Sequence, residues 1–174
     1  TLYNYPDAAL KEKLDTIIEK IEKGQTEDGY FNSAILTLCP NRRFTDRTNH
    51  ELYTAGHLIE AAVAYYEAFG DTRFLTIMER FADCIYKVFA EDQSAPYKTP
   101  GHQELELALV RLYHASGNPK YLKLSKHFVS QRGKDVNERV FSVENGTFPA
   151  YPPLDNQMLY NDTYAQDNAP ANEL

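Results

Sequence analysis

An internal repeat with a period of 47 residues constrains the fold of this 174-residue chain more than any other feature. Each copy contains a helical pattern, a Gly-Asp or Gly-Asn turn, and a second helical pattern that opens on a basic residue, an aromatic residue and leucine. The repeat therefore predicts stacked helical hairpins. The first copy comprises Val63, Tyr66, Ala68, Gly70, Asp71, Arg73, Phe74, Leu75, Ile77 and Phe81, and the second comprises Val110, Tyr113, Ala115, Gly117, Asn118, Lys120, Tyr121, Leu122, Leu124 and Phe128.

Five helices are predicted from apolar residues that recur three or four positions apart. Gly24 is expected to end the first helix, and Asn49 and Gly70 are expected to cap the two ends of the second. Small residues along the second helix predict a closely packed neighbouring helix. They are Ala55, Gly56, Ala61, Ala62 and Ala64. The predicted helices cover residues 7–23, 49–69, 72–89, 102–115 and 119–132, with loops at 28–48 and 97–101.

These patterns predict an all-α fold. Residues 1–133 are assigned to helical hairpins, and residues 134–174, which are rich in Pro, Asn, Asp and Tyr, are assigned to an irregular, loop-rich segment. Stacked hairpins form either an open solenoid or a closed α/α toroid, and the period of the repeat is compatible with both. The spacing of the repeat therefore leaves the choice between ring and solenoid open.

Composition argues against several classes of function. The 18 Lys and Arg residues and 25 Asp and Glu residues give a formal net charge of −7, without a basic run, which argues against a nucleic-acid partner. No stretch approaches the roughly 20 apolar residues of a membrane-spanning helix, so we expect a soluble protein without a membrane partner. The chain opens without Met or a signal-peptide pattern, and is expected to begin within a longer protein. Its compartment remains open.

Histidine and glutamate residues recur at the predicted start of the first helix in each hairpin. His50 and Glu51 open one helix, and His102 and Glu104 open the other, so both pairs are expected at the same end of the stack. Imidazole donors and carboxylate acceptors suit the hydroxyl groups of a sugar, each of which needs a directional partner once water is excluded. The alternative is structural, because a glutamate in a first turn also complements the helix dipole.

Other polar residues have weaker assignments. His57 is predicted to be a buried histidine bonded to a backbone carbonyl, with a ligand role as the alternative. Glycoside hydrolysis usually needs two opposed carboxylates, for which Glu51, Glu104 and Glu106 are candidates by composition. The two cysteines, Cys39 and Cys84, lack the spacing of a metal site. The helical aromatics are assigned to the core, and those expected at the rim of a sugar site are Tyr151, Tyr160 and Tyr164.

Several blocks of this sequence resemble glycoside hydrolase family 127, the β-L-arabinofuranosidases, or the similar family 146. The most specific are Asn-His-Glu-Leu-Tyr-Thr-Ala-Gly-His-Leu-Ile-Glu-Ala-Ala at 49–62 and Pro-Gly-His-Gln-Glu-Leu-Glu-Leu-Ala-Leu at 100–109. Glu-Asp-Gly-Tyr at 27–30, the turn at 117–122 and Gln-Arg-Gly at 131–133 also fit. The resemblance extends over nearly the whole chain.

This resemblance implies that the chain is the N-terminal part of an (α/α)6 barrel that removes arabinofuranose from glycans with retention. It implies that His50 and His102 line the sugar-binding pocket. Family members use a zinc-bound cysteine as nucleophile and a glutamate as acid/base, and both correspond to positions beyond Leu174. The resemblance therefore places no catalytic residue and no metal ligand in this chain, and zinc is expected only in the full-length parent. Gln166-Asp167-Asn168 departs from the family pattern, which often has histidine at the third position.

Three hypotheses follow for function. The first is a fragment of a glycoside hydrolase that binds an arabinofuranose-containing glycan and is inactive without the rest of the protein. The second is a non-catalytic helical-repeat module that binds a glycan or a protein. The third is another α/α-toroid carbohydrate enzyme, such as an unsaturated glucuronyl hydrolase or a sugar epimerase, although neither is known for the blocks around His50 and His102.

Overall fold

The computed structural model describes residues 4–5 and 7–132, and all the regular structure in these residues is helical. Two short 3-10 turns, Pro40–Arg42 and Arg47–Asn49, precede the third α-helix, and a π-helical turn, Lys87–Glu91, follows the fourth. The predicted irregular segment at 134–174 lies outside the described residues. The α-helices are α1 (Ala8–Gly24), α2 (Ser33–Leu38), α3 (Glu51–Phe69), α4 (Arg73–Tyr86), α5 (Leu105–Ser116) and α6 (Pro119–Gln131).

The 47-residue repeat corresponds to two helical hairpins, α3–α4 and α5–α6. Gly70 and Gly117 end α3 and α5 with φ of 69° and 73°, a left-handed conformation that costs glycine little. Each glycine N–H donates to a tyrosine carbonyl, Tyr66 in one hairpin and Tyr113 in the other, at 2.8 Å. The same cap therefore recurs at the same register, and the hairpin prediction is confirmed.

Helices α3 and α5 lie side by side, with α4 packed against α3 and α6 against α5. The two helices approach closely at Gly56, where a Cβ atom would lie 2.8 Å from Glu104 Cγ and 2.9 Å from the Leu105 nitrogen. The prediction of close packing along this helix is confirmed at Gly56 and Ala55, whereas Ala61 is exposed in the described part of the chain.

The predicted boundaries of two helices were wrong in ways that affect the site. The second predicted helix begins at Glu51, because His50 has a left-handed backbone (φ 56°) and Asn49 ends a 3-10 turn instead of capping the helix. The helix predicted at 102–115 begins at Leu105, because the Glu104 N–H donates to the His102 carbonyl in a turn before the helix. His50 therefore lies directly before α3, and His102 lies three residues before the start of α5, so neither is in the first turn of its helix.

Two further differences are smaller. The predicted loop at 28–48 contains α2, which Asn32 caps by accepting a hydrogen bond from the Ile35 N–H at 3.1 Å. The helix predicted at 72–89 is α-helical only to Tyr86, where it continues as the π-helical turn. The predicted loop at 97–101 is confirmed, and none of the described helices is both long and apolar enough to cross a membrane.

Candidate sugar-binding site

Four aromatic side chains meet where α3 and α5 begin, and we call them the histidine cluster: His50, Tyr53, His57 and His102. The ring centroids of His50 and His102 are 5.2 Å apart, although the two residues belong to different hairpins. The Tyr53 ring lies 5.2 Å from His102 and 4.5 Å edge-on from His57. The two histidines were expected at the same end of the stack, and their rings lie next to each other there.

The geometry of α3 explains the composition of the cluster. Tyr53 and His57 are four residues apart and fall on one face of the helix, and the ring of His50, just before the helix, lies 5.9 Å from the Tyr53 ring. Sequence reasoning missed Tyr53 and assigned His57 to the interior. His57 is in fact half exposed, and its Nδ1 atom lies 3.2 Å from Glu104 Oε1. The spacing of these residues from His50 was the signal that would have found both.

Glu51 has a different role from its neighbour His50. Only 1% of Glu51 is exposed, and its carboxylate accepts hydrogen bonds from the Tyr30 hydroxyl and from the Phe44 N–H, the latter at 2.9 Å. Burial raises the pKa of the Glu51 carboxyl, and its hydrogen bonds only partly oppose that effect. Glu51 is therefore an internal support beneath His50, and the hypothesis that it contacts a sugar is wrong.

The other two glutamates from the sequence hypothesis also have partners. Glu106 is buried and pairs with Arg132 at 2.6 Å, with both side chains less than 10% exposed. Glu104 is the one of the three that adjoins the histidine cluster, where it contacts His57. Two opposed carboxylates of the kind used in glycoside hydrolysis are thus not formed by these three residues.

The local environment favours the neutral form of His102. Burial lowers the pKa of this imidazole below its usual 6.5, and electrostatic interaction with the neighbouring His50, Arg132 and Arg47 lowers it further. A neutral imidazole presents one N–H donor and one acceptor nitrogen. His102 can therefore both donate to and accept from a hydroxyl group near neutral pH.

Neither cysteine belongs to the histidine cluster. Cys84 is buried, and burial raises the pKa of its thiol to about 11, so it remains protonated at neutral pH. Its sulfur lies 3.8 Å from an Arg43 nitrogen, a cation that would oppose a metal ion. Among the residues that the structure describes, no three His, Cys, Asp or Glu side chains are grouped to hold a metal. This part of the chain does not fit a zinc site.

The helical aromatics that were assigned to packing are in the core, as predicted. Tyr65, Phe74, Phe81 and Tyr121 are each at most 6% exposed, and Tyr66 and Tyr113 are partly buried against the core. The three tyrosines that were expected at a rim, Tyr151, Tyr160 and Tyr164, lie outside the described residues.

Comparison with known proteins shows the family of this chain. The family model described as the β-L-arabinofuranosidase GH127 catalytic domain matches residues 1–174. A non-reducing end β-L-arabinofuranosidase of Bifidobacterium longum subsp. longum is 35% identical over 136 residues, which is 75% of this chain and 21% of that protein. The chain thus spans about a fifth of the length of this relative.

Two solved structures are also similar. One is a GH127 β-L-arabinofuranosidase from Geobacillus stearothermophilus T6, with 48% identity and a TM-score of 0.70 over 74% of this chain and 20% of that one. The other is a GH127 β-arabinofuranosidase with 36% identity and a TM-score of 0.69 over 76% of this chain and 22% of that one. Since these are (α/α) barrel enzymes, the hairpins belong to an α/α toroid and not to an open solenoid. The chain belongs to the GH127 β-L-arabinofuranosidase catalytic-domain family.

Proposed function

We propose that the protein is a glycoside hydrolase that releases β-L-arabinofuranose, and that this chain supplies part of its sugar-binding pocket through His50 and His102. The observation that carries the proposal is the 5.2 Å approach of the two imidazole rings from separate hairpins of a GH127 domain. The names of the relatives support an arabinofuranose-containing carbohydrate as the substrate.

The chemistry of the histidine cluster suits a furanose. Two imidazoles offer donors and acceptors at a spacing that adjacent hydroxyl groups of one sugar ring can match. The Tyr53 ring adds an apolar surface for the C–H groups of the sugar. Glu104, 3.2 Å from His57 Nδ1, favours the tautomer with the proton on that nitrogen and leaves Nε2 as an acceptor.

The bond-breaking groups are assigned to other parts of the protein. The resemblance implies a zinc-bound cysteine and a glutamate beyond Leu174, and the residues described in this chain do not fit a zinc site. We therefore assign binding and orientation of the sugar to His50 and His102, and no proton transfer or nucleophilic step.

Activity of the full-length protein and of the 174-residue chain tests the division of roles. The full-length protein should hydrolyse an aryl β-L-arabinofuranoside, and the chain alone should not. Full turnover by the chain alone would contradict the assignment of the catalytic groups elsewhere. Glycan binding without turnover by the full-length protein would instead favour the non-catalytic module.

Substitution of the histidines in the full-length protein tests the pocket. His50→Ala and His102→Ala should each lower kcat/KM by about 5- to 150-fold, since each removes hydroxyl contacts worth about 1–3 kcal/mol. His114→Ala is the matched control, because His114 is exposed on α5 and contacts the adjacent Tyr113 ring. Kinetics equal to those of His114→Ala for both variants would remove the two histidines from the pocket.

A further inference from the structure

Arg47 is a buried cation that lies between the two histidine-bearing segments. It is only 7% exposed, and it belongs to the 3-10 turn that leads directly into His50. Its Nη2 atom donates to Thr99 Oγ1 at 3.1 Å and to the Pro100 carbonyl at 3.0 Å. These two acceptors immediately precede Gly101 and His102. One guanidinium group therefore ties the segment before His50 to the segment before His102.

The backbone on the His50 side of this connection is held firmly. Asp46 accepts hydrogen bonds from the Thr48 N–H at 2.8 Å and from the Thr48 hydroxyl at 2.7 Å, which fixes the turn that contains Arg47. On the other side of His50, the buried Glu51 carboxylate anchors the start of α3. His50 thus lies between two fixed points, and its position follows that of Arg47.

The backbone on the His102 side approaches Arg47 closely. A Cβ atom on Gly101 would lie 3.5 Å from the Arg47 carbonyl oxygen, so little more than the width of a side-chain carbon separates the two segments. The Pro100 carbonyl also accepts a hydrogen bond from Arg132 Nη2 at 3.3 Å, which ties this loop to its own hairpin. Arg132 holds the loop on α6, whereas Arg47 holds the loop against the opposite hairpin.

We propose that Arg47 is a positioning residue that sets the spacing between His50 and His102 by joining their two segments through Thr99 and Pro100. This inference rests on the proposed function, because the spacing matters for catalysis only if the two histidines bind one sugar. The planar guanidinium suits the task, since one nitrogen reaches two acceptors in a fixed geometry. A buried carbonyl and hydroxyl without this donor would favour a different loop position.

The kinetic test uses Arg47→Met in the full-length protein, with Arg111→Met as a matched control. Arg111 on α5 also bridges the two hairpins, but through Glu60 and Glu67, farther along α3. Arg47→Met should raise KM by about tenfold with little change in kcat, because binding groups have moved. A loss of folded enzyme would instead lower the apparent kcat and leave KM unchanged. Arg111→Met should leave KM unchanged.

Combination with the histidine variants separates this inference from the proposed function. In a His50→Ala, His102→Ala background, Arg47→Met should add little to KM, because the groups that it positions are gone. If the histidine variants lower kcat/KM and Arg47→Met leaves KM unchanged, the positioning role is wrong and the pocket stands. If the histidine variants leave kcat/KM unchanged, the pocket itself is wrong.

A measurement without substrate tests the spacing directly. In protein labelled at histidine, the ring protons of His50 and His102 should give a nuclear Overhauser cross-peak, which Arg111→Met should retain and Arg47→Met should lose. Arg47→Lys keeps the charge but lacks the planar fork, so it should restore only part of the intensity and protects the test if the Met variant folds poorly. An unchanged cross-peak in both Arg47 variants would overturn the inference.

Discussion

Replacement of Glu51 by alanine tests whether the anchor beneath His50 stabilises the start of α3. In the native protein the Glu51 carboxylate accepts hydrogen bonds from the Tyr30 hydroxyl and the Phe44 N–H. Tyr30 is 0% exposed and Phe44 is 4% exposed, so water does not replace the lost acceptor at either donor. Glu51→Ala therefore leaves two buried donors unpaired and removes most of a packed side chain.

The expected cost follows from these two donors. A buried donor that loses its acceptor costs about 1–3 kcal/mol, so two donors cost about 2–6 kcal/mol. Relief of the desolvation that the Glu51 carboxylate suffers offsets part of this cost, and we expect a net loss of about 2–5 kcal/mol. Glu51→Gln keeps the shape and one acceptor oxygen, so its cost should be about 1 kcal/mol.

Amide hydrogen exchange at the start of α3 measures this loss locally. The Thr54 N–H, which donates to the His50 carbonyl at 2.8 Å, should exchange at least about 30-fold faster in Glu51→Ala than in the native protein. Glu12→Ala, an exposed glutamate on α1, is the matched control and should change stability by less than about 0.5 kcal/mol. Native exchange rates in Glu51→Ala would refute the anchoring role.

Four further outcomes follow from the same contacts. Because the pKa of Glu51 is raised in the folded state, its contribution to stability is complete below pH 4.5, the pKa in the unfolded chain. That contribution is lost as the pH rises through the pKa of the folded state, so denaturation should show the native protein losing stability relative to Glu51→Gln over this pH range. A Cβ on Gly56 would overlap Glu104 and Leu105, so Gly56→Ala should lower stability by about 1–3 kcal/mol, and an unchanged melting temperature would contradict the close contact. Arg132→Met leaves Glu106 buried and unpaired and should cost about 3–5 kcal/mol, much of which the added Glu106→Gln change should restore in a denaturation cycle. The lowered pKa of His102 predicts that its effect on kcat/KM titrates below pH 6.5, and a midpoint at or above 6.5, absent in His102→Gln, would disagree.

The helical hairpins were predictable because their signals are local. The glycines at 70 and 117 end their helices in the same left-handed conformation, and the turns and apolar spacing are contained within each hairpin. The starts of α3 and α5 were not predictable, because their signals are not local. His50 is left-handed, and the loop before α5 is held by Arg47 from another hairpin. Long-range contacts there override the local capping signals.

The difference between local and long-range signals also explains which residues of the site were missed. His50 and His102 were singled out by the comparison of two helix starts and by the resemblance to the family, and their 5.2 Å contact is consistent with both. His57 was assigned to the interior because it is surrounded by Ala, Gly, Leu and Ile in sequence. Its exposure depends on which face of α3 packs on α5. Gly56 takes that packed face, so the next side chain, His57, lies on a different face and is half exposed.

The block of residues around His50 shows why similarity to a family motif does not assign a role to each of its members. His50 and Tyr53 contribute their rings to the histidine cluster, whereas Glu51 and Leu52, between them, are at most 2% exposed. Because His50 has a left-handed backbone and Glu51 is buried, these two adjacent side chains point in opposite directions. Glu51 and His50 are thus coupled through the backbone, since the buried contact fixes the point from which the imidazole extends. A change at either residue should therefore reduce sugar binding, but Glu51→Ala should also reduce stability, while His50→Ala should leave it nearly unchanged.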